Sequence, residues 1–560
     1  MAVFSGAVSA VTVSSSPVVY VNGDGGNDNW DGLSANYNVT TKSGPKATIS
    51  NATGIVDNGG TVRIANGVYT GDSNGNLYIS KNMTIIGQSR ADTIINTHFI
   101  DNLQAGLSLK IFNITIKNAE SSAGGAIVNS GDLTLEKVSF IRNSAATNGG
   151  AIINYGNLSV NNCLFSNNLC NSNGGAIANM ANANLTVNNT IFEYNNGSAI
   201  LNYGTANFYR CNFSKMGNGG AAYNYGMMGV HFSSIIDNEY YAPTFTNDKT
   251  YLPKATLDAS YNWWGSNDPS FSTVDTIFDN WITATLNSST SIIPKNGHAL
   301  IKFDMMHDCN GNAVTGYIPD GIAVTFRTTL GNITSTAYTI NGTATATLTA
   351  GTVGGLASIV GNLDKEYRGT TVTIDVTAPT AASNIKSGTY NVNKVITLSK
   401  NKAGTIYYTL TGATPTTSST KYVGPITISS SKVLKFIAID IAGNKSPVYT
   451  YNYTIDKTAP KISLTTPTNL KTGIKRTSNI VIKFSENINY STYYSKITIK
   501  NSSGKSLSLS KSINGNTLTI KTSSKSANTW YIVTIPKSAV KDKAGNNLTA
   551  NYSFKFRTGS

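Results

Sequence analysis

Between Gly124 and Asn238 one short phrase of sequence is written five times, and this recurrence restricts the fold more than any other feature of the chain. GGAIVN at Gly124, GGAIIN at Gly149, GGAIAN at Gly174, GSAILN at Gly197 and GGAAYN at Gly219 open units 25, 25, 23 and 22 residues apart. A period of that size means a solenoid, because one unit cannot bury its apolar face alone. Counted from each first Gly, position +3 reads Ile127, Ile152, Ile177, Ile200 and Ala222, and position +5 reads Asn129, Asn154, Asn179, Asn202 and Asn224. Position +16 carries Phe140, Phe165, Phe213 and Ile235, and Phe192 joins them once a two-residue insertion near Ala181 to Ala183 is allowed.

Each unit holds three short alternating runs, such as Ala151-Ile152-Ile153, Leu158-Ser159-Val160 and Cys163-Leu164-Phe165. None is long enough, or periodic at 3.6, to be a helix. Three strands per repeat predict a right-handed, three-sheet parallel β-helix whose coils stack about 4.8 Å apart. The Ile and Phe columns are then expected inside the cylinder, each side chain contributing roughly 1.5–3 kcal/mol of apolar burial. The Asn columns at +5 and near +19 (Asn143, Asn168, Asn195, Asn238) are expected at corners, in left-handed backbone, with amides bonding from coil to coil. A five-fold recurrence marks a scaffold, since a catalytic group is needed once.

The flanks read as caps. Val18 to Val21 opens a strand, and in the following Asn22 to Gly32 the spacing of Asp24, Asp28 and Asp31 does not match an EF-hand loop. Asx turns rank above a calcium site there. Ile49, Ala52 and Val56 within Ala47 to Asp57 predict a short amphipathic helix over the open first coil. Thr61 to Ile64, Leu77 to Ile79, Met83 to Ile86, Thr93 to Ile95 and Ile111 to Ile116 read as strands of less regular coils. After Ile235 the repeat decays through an aromatic loop. Asn262-Trp263-Trp264-Gly265-Ser266-Asn267 is expected to close the far end, with a sugar-stacking Trp pair as the alternative.

From Ile301 the pattern turns to antiparallel-type alternation with turn signals every 8 to 12 residues, as in immunoglobulin-like sandwiches. Asp375-Val-Thr-Ala-Pro379 and Asp456-Lys-Thr-Ala-Pro460 stand 81 residues apart, one sandwich length. A second echo, Asp-x-Ala-Gly-Asn at Asp440 to Asn444 and Asp542 to Asn546, reads as a tight turn near the end of each module. The expected organisation is therefore 1–16 a terminus, 17–287 the β-helix, and Ig-like modules at 288–377, 378–456 and 457–560.

These motifs give the chain a resemblance to the adhesin-like surface proteins of methanogenic archaea. YVNGDGGNDNWDGLSA, GPKATI, TIIGQS, the GGAI coils and NWWGSNDP resemble their pectate-lyase-like β-helix. Ile301 to Thr377 is similar to invasin-type domains, through PDGIAVTFRTTLGNIT and NGTATATLTAG. Gly404 to Ile455 resembles the chitobiase C-terminal sandwich, with Thr411-Gly412 where that family has Asp-Gly. Ile480 to Gly559 is similar to the Ig-like modules of S-layer proteins. The resemblance covers nearly the whole chain and implies attachment without naming a ligand.

Composition agrees with an extracellular all-β chain: 13% charged residues, 29 Tyr and 51 Gly. No apolar run is long enough to span a membrane. Met1 to Ser16 reads as a shortened secretion signal, or alternatively as a disordered or strand-forming terminus. Cys163 and Cys211 share a column two coils apart, about 9.6 Å, which is beyond disulfide reach, so both are expected as buried thiols. Cys170 and Cys309 have no evident partner. Asn38, Asn113, Asn196, Asn332, Asn452 and Asn547 are candidate glycosylation sites among scattered Asn-x-Ser/Thr sequons.

The net charge of +15 is uneven. Asp456 to Ser560 carries 17 Lys and Arg against Asp456, Glu486 and Asp542, a net +14, and Ala378 to Ile455 carries eight Lys against Asp440, a net +7. The rest is mildly acidic, at −6. No base-reading motif accompanies the basic tail, so anionic cell-envelope polymers are the expected partners and nucleic acid is not.

Parallel β-helices also host lyases and glycosidases, which need carboxylates clustered within about 5–10 Å. Among Glu120, Asp132, Glu136, Glu193 and Asp237 no two share a column in adjacent coils, and His98, His231, His298 and His307 lack metal-ligand spacing. The expectation is a secreted, non-enzymatic adhesin without cofactor, binding glycans or proteins of another cell. A self-assembling envelope or sheath component, a polysaccharide lyase or hydrolase, and a viral receptor-binding fibre are the alternatives.

Overall fold

The computed structural model describes residues 17–217, 219–236, 238, 245–249, 254–269 and 278–560. The candidate secretion signal at Met1 to Ser16 and most of the aromatic loop after Ile235 lie outside them. The fold is nearly all-β, a parallel β-solenoid followed by Ig-like β-sandwiches. The chain falls into two compact units, one reaching Thr373 and the other formed by Ile374–Ser560.

Three parallel sheets of ten, eight and eight strands build the solenoid. In the third repeat they receive Ile177–Asn179, Asn184–Asn188 and Ile191–Glu193. Register is strict: Ile127 pairs with Ile152, Ile152 with Ile177 and Ile177 with Ile200. Phe140, Phe165, Phe192 and Phe213 are fully buried and stack with ring centroids 4.7, 5.0 and 4.9 Å apart. Strict register follows because slipping one residue would turn every one of these side chains to solvent.

The Asn columns form amide ladders but differ from expectation in their backbone. Asn129, Asn154, Asn179, Asn202 and Asn224 each donate through Nδ2 to the next Oδ1 at 2.6–2.8 Å, and Asn247 extends the column. Asn143, Asn168 and Asn195 form a second ladder, with Asn143 Nδ2 2.9 Å from Asn168 Oδ1. None of these residues has positive φ. The left-handed corners fall one residue earlier than the second ladder, at Arg142, Asn167, Tyr194 and Lys215, and at Lys137, Asn162, Asn189, Arg210 and Phe232. The side chain that must turn inward to bond the stack keeps ordinary backbone, while the exposed residue beside it absorbs the strain. The expected single strand from Ile111 to Ile116 is likewise broken at Asn113, φ 56°, into Ser108–Phe112 and Thr115–Lys117.

Helix Ile49–Ile55 covers the first coil and buries Ile49 and Ala52, with Val56 just beyond its end. At the far end Trp263 is fully buried and continues the stack through Trp263 N–H to Ser233 O and Ile235 N–H to Trp263 O. The Trp264 ring meets Phe245 and Phe278 edge-on at 5.7 and 5.2 Å. The Trp pair is therefore a plug and not an open platform.

Strand Ile282–Ser288, placed by the sequence reading inside the β-helix, pairs antiparallel with His298–Asp308. The first sandwich thus begins before residue 288, because Asn267 carries the chain directly into it: Asn267 Nδ2 donates to Ala284 O and Ala284 N–H to Asn267 Oδ1. Arg210, on the coil stack, reaches Asp320 at 3.3 Å and lies 3.9 Å over the Tyr317 ring. The second unit contains two further sandwiches. One is built around Gly404–Thr409, Lys432–Asp440 and Tyr449–Ile455, the other around Ile480–Phe484, Thr517–Thr522 and Trp530–Ile535.

Candidate functional site

The ten-stranded sheet presents the most regular surface of the solenoid. Its inward column, Leu133, Leu158, Leu185 and Ala206, is buried, so strand alternation sends Thr134, Ser159, Thr186 and Asn207 outward in register. Asn157 Nδ2 donates to Asp132 Oδ1 at 2.7 Å, Asn184 Nδ2 to Asn157 Oδ1 at 2.9 Å and Asn188 Nδ2 to Asn161 Oδ1 at 3.0 Å. The result is a face of amides and hydroxyls held by backbone on both sides. At one rim Tyr209, Phe232 and Tyr261 follow one another, with ring centroids 5.5 Å apart at both steps.

The acids of the coil stack are dispersed. Asp132 and Glu136 accept from Asn157 and Asn162 of the next coil, and Glu193 accepts from Ser166 of the preceding one. Glu120 is exposed, and Asp237 lies outside the described residues. His98 Nδ1 lies 2.7 Å from Gly125 O, and His231 Nδ1 3.2 Å from Ser260 O.

Asp24, Asp28 and Asp31 act separately. Asp28 accepts from the N–H groups of Ala47 and Thr48 and from the Thr48 hydroxyl, which anchors the capping helix. Asp31 forms an Asx turn with Leu33 N–H and accepts from Ser43, and these bonds hold its carboxyl below the ordinary range. Of the candidate glycosylation residues, Asn38, Asn196, Asn332, Asn452 and Asn547 are exposed and Asn113 is half-buried.

The Asp-x-Ala-Gly-Asn echo does more than turn the chain. Asn444 N–H donates to Asp440 Oδ1 at 2.8 Å, and Asn444 Nδ2 reaches back 2.7 Å to Asp375 O in the preceding linker. Asn546 repeats both contacts with Asp542 and Asp456, at 2.8 and 2.7 Å. The two echoes noticed separately in the sequence are thus two halves of one clamp. At the first clamp the Lys402 ammonium lies 2.8 Å from Asp375 and 3.4 Å from Asp440, and its bond holds the Asp375 carboxyl below the usual range. At the second clamp Glu486 takes the place of Lys402, each standing two residues past its strand (Ile480–Phe484 and Leu398–Lys400).

Asp456, Glu486 and Asp542 thereby bring carboxylate oxygens within 4.8 Å of one another, the one such acidic group among the described residues. Burial, then the charges of Asp542 and Asp456, push the Glu486 carboxyl up. Sequence reasoning counted these three acids but did not bring them together. Their being the module's entire acidic complement was the available signal.

Residues 456–558 match the bacterial Ig-like domain family, and residues 385–450 match the chitobiase/beta-hexosaminidase C-terminal domain. No curated protein matches the chain. Similar solved structures include the Escherichia coli adhesin FdeC, 14% identical over 49% of this chain and 96% of that one, TM-score 0.25. Another is Yersinia pseudotuberculosis InvD, 19% identical over 50% of this chain and 98% of that one, TM-score 0.22. Titin domains I67–I69 are 10% identical over 50% and 98%, TM-score 0.27. Scores this low carry no functional argument. The order of a β-solenoid and then sandwiches, with a bacterial Ig-like domain last among them, is an adhesin-like architecture.

Proposed function

We propose that the protein is a secreted cell-surface adhesin whose β-solenoid binds glycans or proteins of another cell while the Ig-like modules display it. The resemblance to methanogen surface proteins belongs to the same proposal. The outer face of the ten-stranded sheet supports the reading: its side chains are short, polar and in register over successive coils. Such a surface loses little side-chain entropy on binding, and its amides and hydroxyls pair with the hydroxyls of a sugar chain. We read the protein as non-catalytic, because the acids of the coil stack are spread over separate coils. The terminal module, at +14, docks on the producer's own anionic envelope.

A glycan array probed with the full chain tests the head. Thr186 is exposed at mid-face, so Thr186→Arg should abolish the array signal without shifting the melting temperature. No signal on any glycan, or one indifferent to this substitution, refutes the assignment of the face. A dilution series separates the adhesin from a self-assembling sheath component, which would polymerise as concentration rises.

A further inference from the structure

The charge of the terminal module is unevenly placed. Its three acids are gathered at the clamp, so none remains to neutralise the sheet formed by Thr498–Asn501, Trp530–Ile535 and Tyr552–Arg557. Alternation buries Ile499, Tyr531, Val533, Phe554 and Phe556 on the inner side of that sheet. The register sets Lys500 beside Ile532, Ile532 beside Lys555, and Trp530 beside Arg557 on the outer side. Lys500, Lys555 and Arg557 are exposed, Ile532 is 43% exposed, and Trp530 is half-buried. The Lys555 ammonium lies 5.4 Å from the Trp530 ring centroid. Two strand spacings separate Lys500 from Lys555, about 10 Å. The face is therefore flat, with one aromatic ring and three cations that no carboxylate pairs.

Resting on the envelope-docking reading above, we propose that this sheet face is a platform for a linear acidic polysaccharide. Trp530 stacks on the C–H face of one sugar, and Lys500, Lys555 and Arg557 pair with its acid groups. Charge complementarity selects an anionic polymer. A single ring, where single-stranded nucleic acid is met by successive stacking aromatics, disfavours nucleic acid. An Ile flanked by two Lys within a flat sheet offers no apolar wedge for a bilayer.

The test uses the full chain and polygalacturonate in affinity electrophoresis, with the methyl-esterified polymer as the uncharged comparison. Lys500→Gln/Lys555→Gln should weaken binding about tenfold, and Trp530→Ala by a similar factor, with Trp530→Phe restoring most of it. Lys483→Gln/Lys521→Gln removes the same charge from the opposite sheet, whose Lys483 and Lys521 are also exposed, and should change binding less than about twofold. Equal weakening by the two double variants overturns the platform and leaves docking by net charge standing. An unaltered Trp530→Ala variant also overturns it, as does equal binding of the esterified polymer. Sedimentation with whole anionic cell walls but no binding to polygalacturonate refutes the platform alone, whereas failure of both refutes the docking reading too. Tighter binding of duplex DNA or phosphatidylserine vesicles through the same residues assigns the face to another class and refutes the proposal. Thermal melts of each variant exclude misfolding as the cause.

Discussion

Phe165 is the most informative position in the coil stack. Its ring is fully buried between Phe140 at 4.7 Å and Phe192 at 5.0 Å, both within 10° of parallel. Phe165→Ala removes the ring and leaves a cavity that neighbouring coils cannot collapse into, because their backbones are pinned by two amide ladders. Large-to-small core substitutions of this kind cost about 3–5 kcal/mol. Phe140 stacks on one ring only and pairs on its other side with Ile116, so Phe140→Ala should cost less, by roughly 0.5–1.5 kcal/mol. Urea unfolding of the full chain followed by tryptophan fluorescence reads this, since Trp30, Trp263, Trp264 and Trp281 of the five Trp lie in the first unit. Hydrogen exchange should accelerate first in Ser139–Ile141 and Ile191–Glu193, the strands that sandwich the lesion. A cost below about 1 kcal/mol, or a larger cost at Phe140, would refute the stacked-column account.

Asn154→Ala breaks the amide bonds to Asn129 and Asn179 in a dry interior and should destabilise by about 2–4 kcal/mol in the same melt. Glu486→Gln should stabilise the second unit at neutral pH by roughly 0.3–1 kcal/mol, a small gain because the group is largely solvated. The raised Glu486 carboxyl means that the wild type takes up a proton as it folds in mild acid, so this advantage should disappear near pH 4 and below, as differential scanning calorimetry would show. Lys402→Met should lower the stability of the same unit above the ordinary Asp range. The deficit should shrink as pH falls through the depressed Asp375 value, and a deficit independent of pH would refute the ion pair's role. Burial pushes the Cys163 and Cys211 thiols up to about 12, so native protein should be labelled by a thiol reagent at half-buried Cys309 first and at these two only on unfolding.

Much of the solenoid was legible because its information is periodic. Ile127, Ile152, Ile177 and Ile200 share a column in the sequence for the same reason that they pair in space: each coil must repeat the apolar position beneath it. The capping helix was legible too, since Ile49, Ala52 and Val56 follow the helical period. Periodicity could not say where a coil turns. The left-handed corners at Arg142, Tyr194 and Phe232 carry no common residue type, because exposed side chains there are constrained only by backbone. Nor could the sequence show that Asp440 to Asn444 reaches Asp375, or that Asp456, Glu486 and Asp542 converge, since those contacts join segments 69 to 90 residues apart. The basic tail was visible as a sum, but its ordering into one face with Trp530 depends on strand pairing between Thr498–Asn501, Trp530–Ile535 and Tyr552–Arg557. Local chemistry set the elements, and only tertiary pairing decided which charges meet.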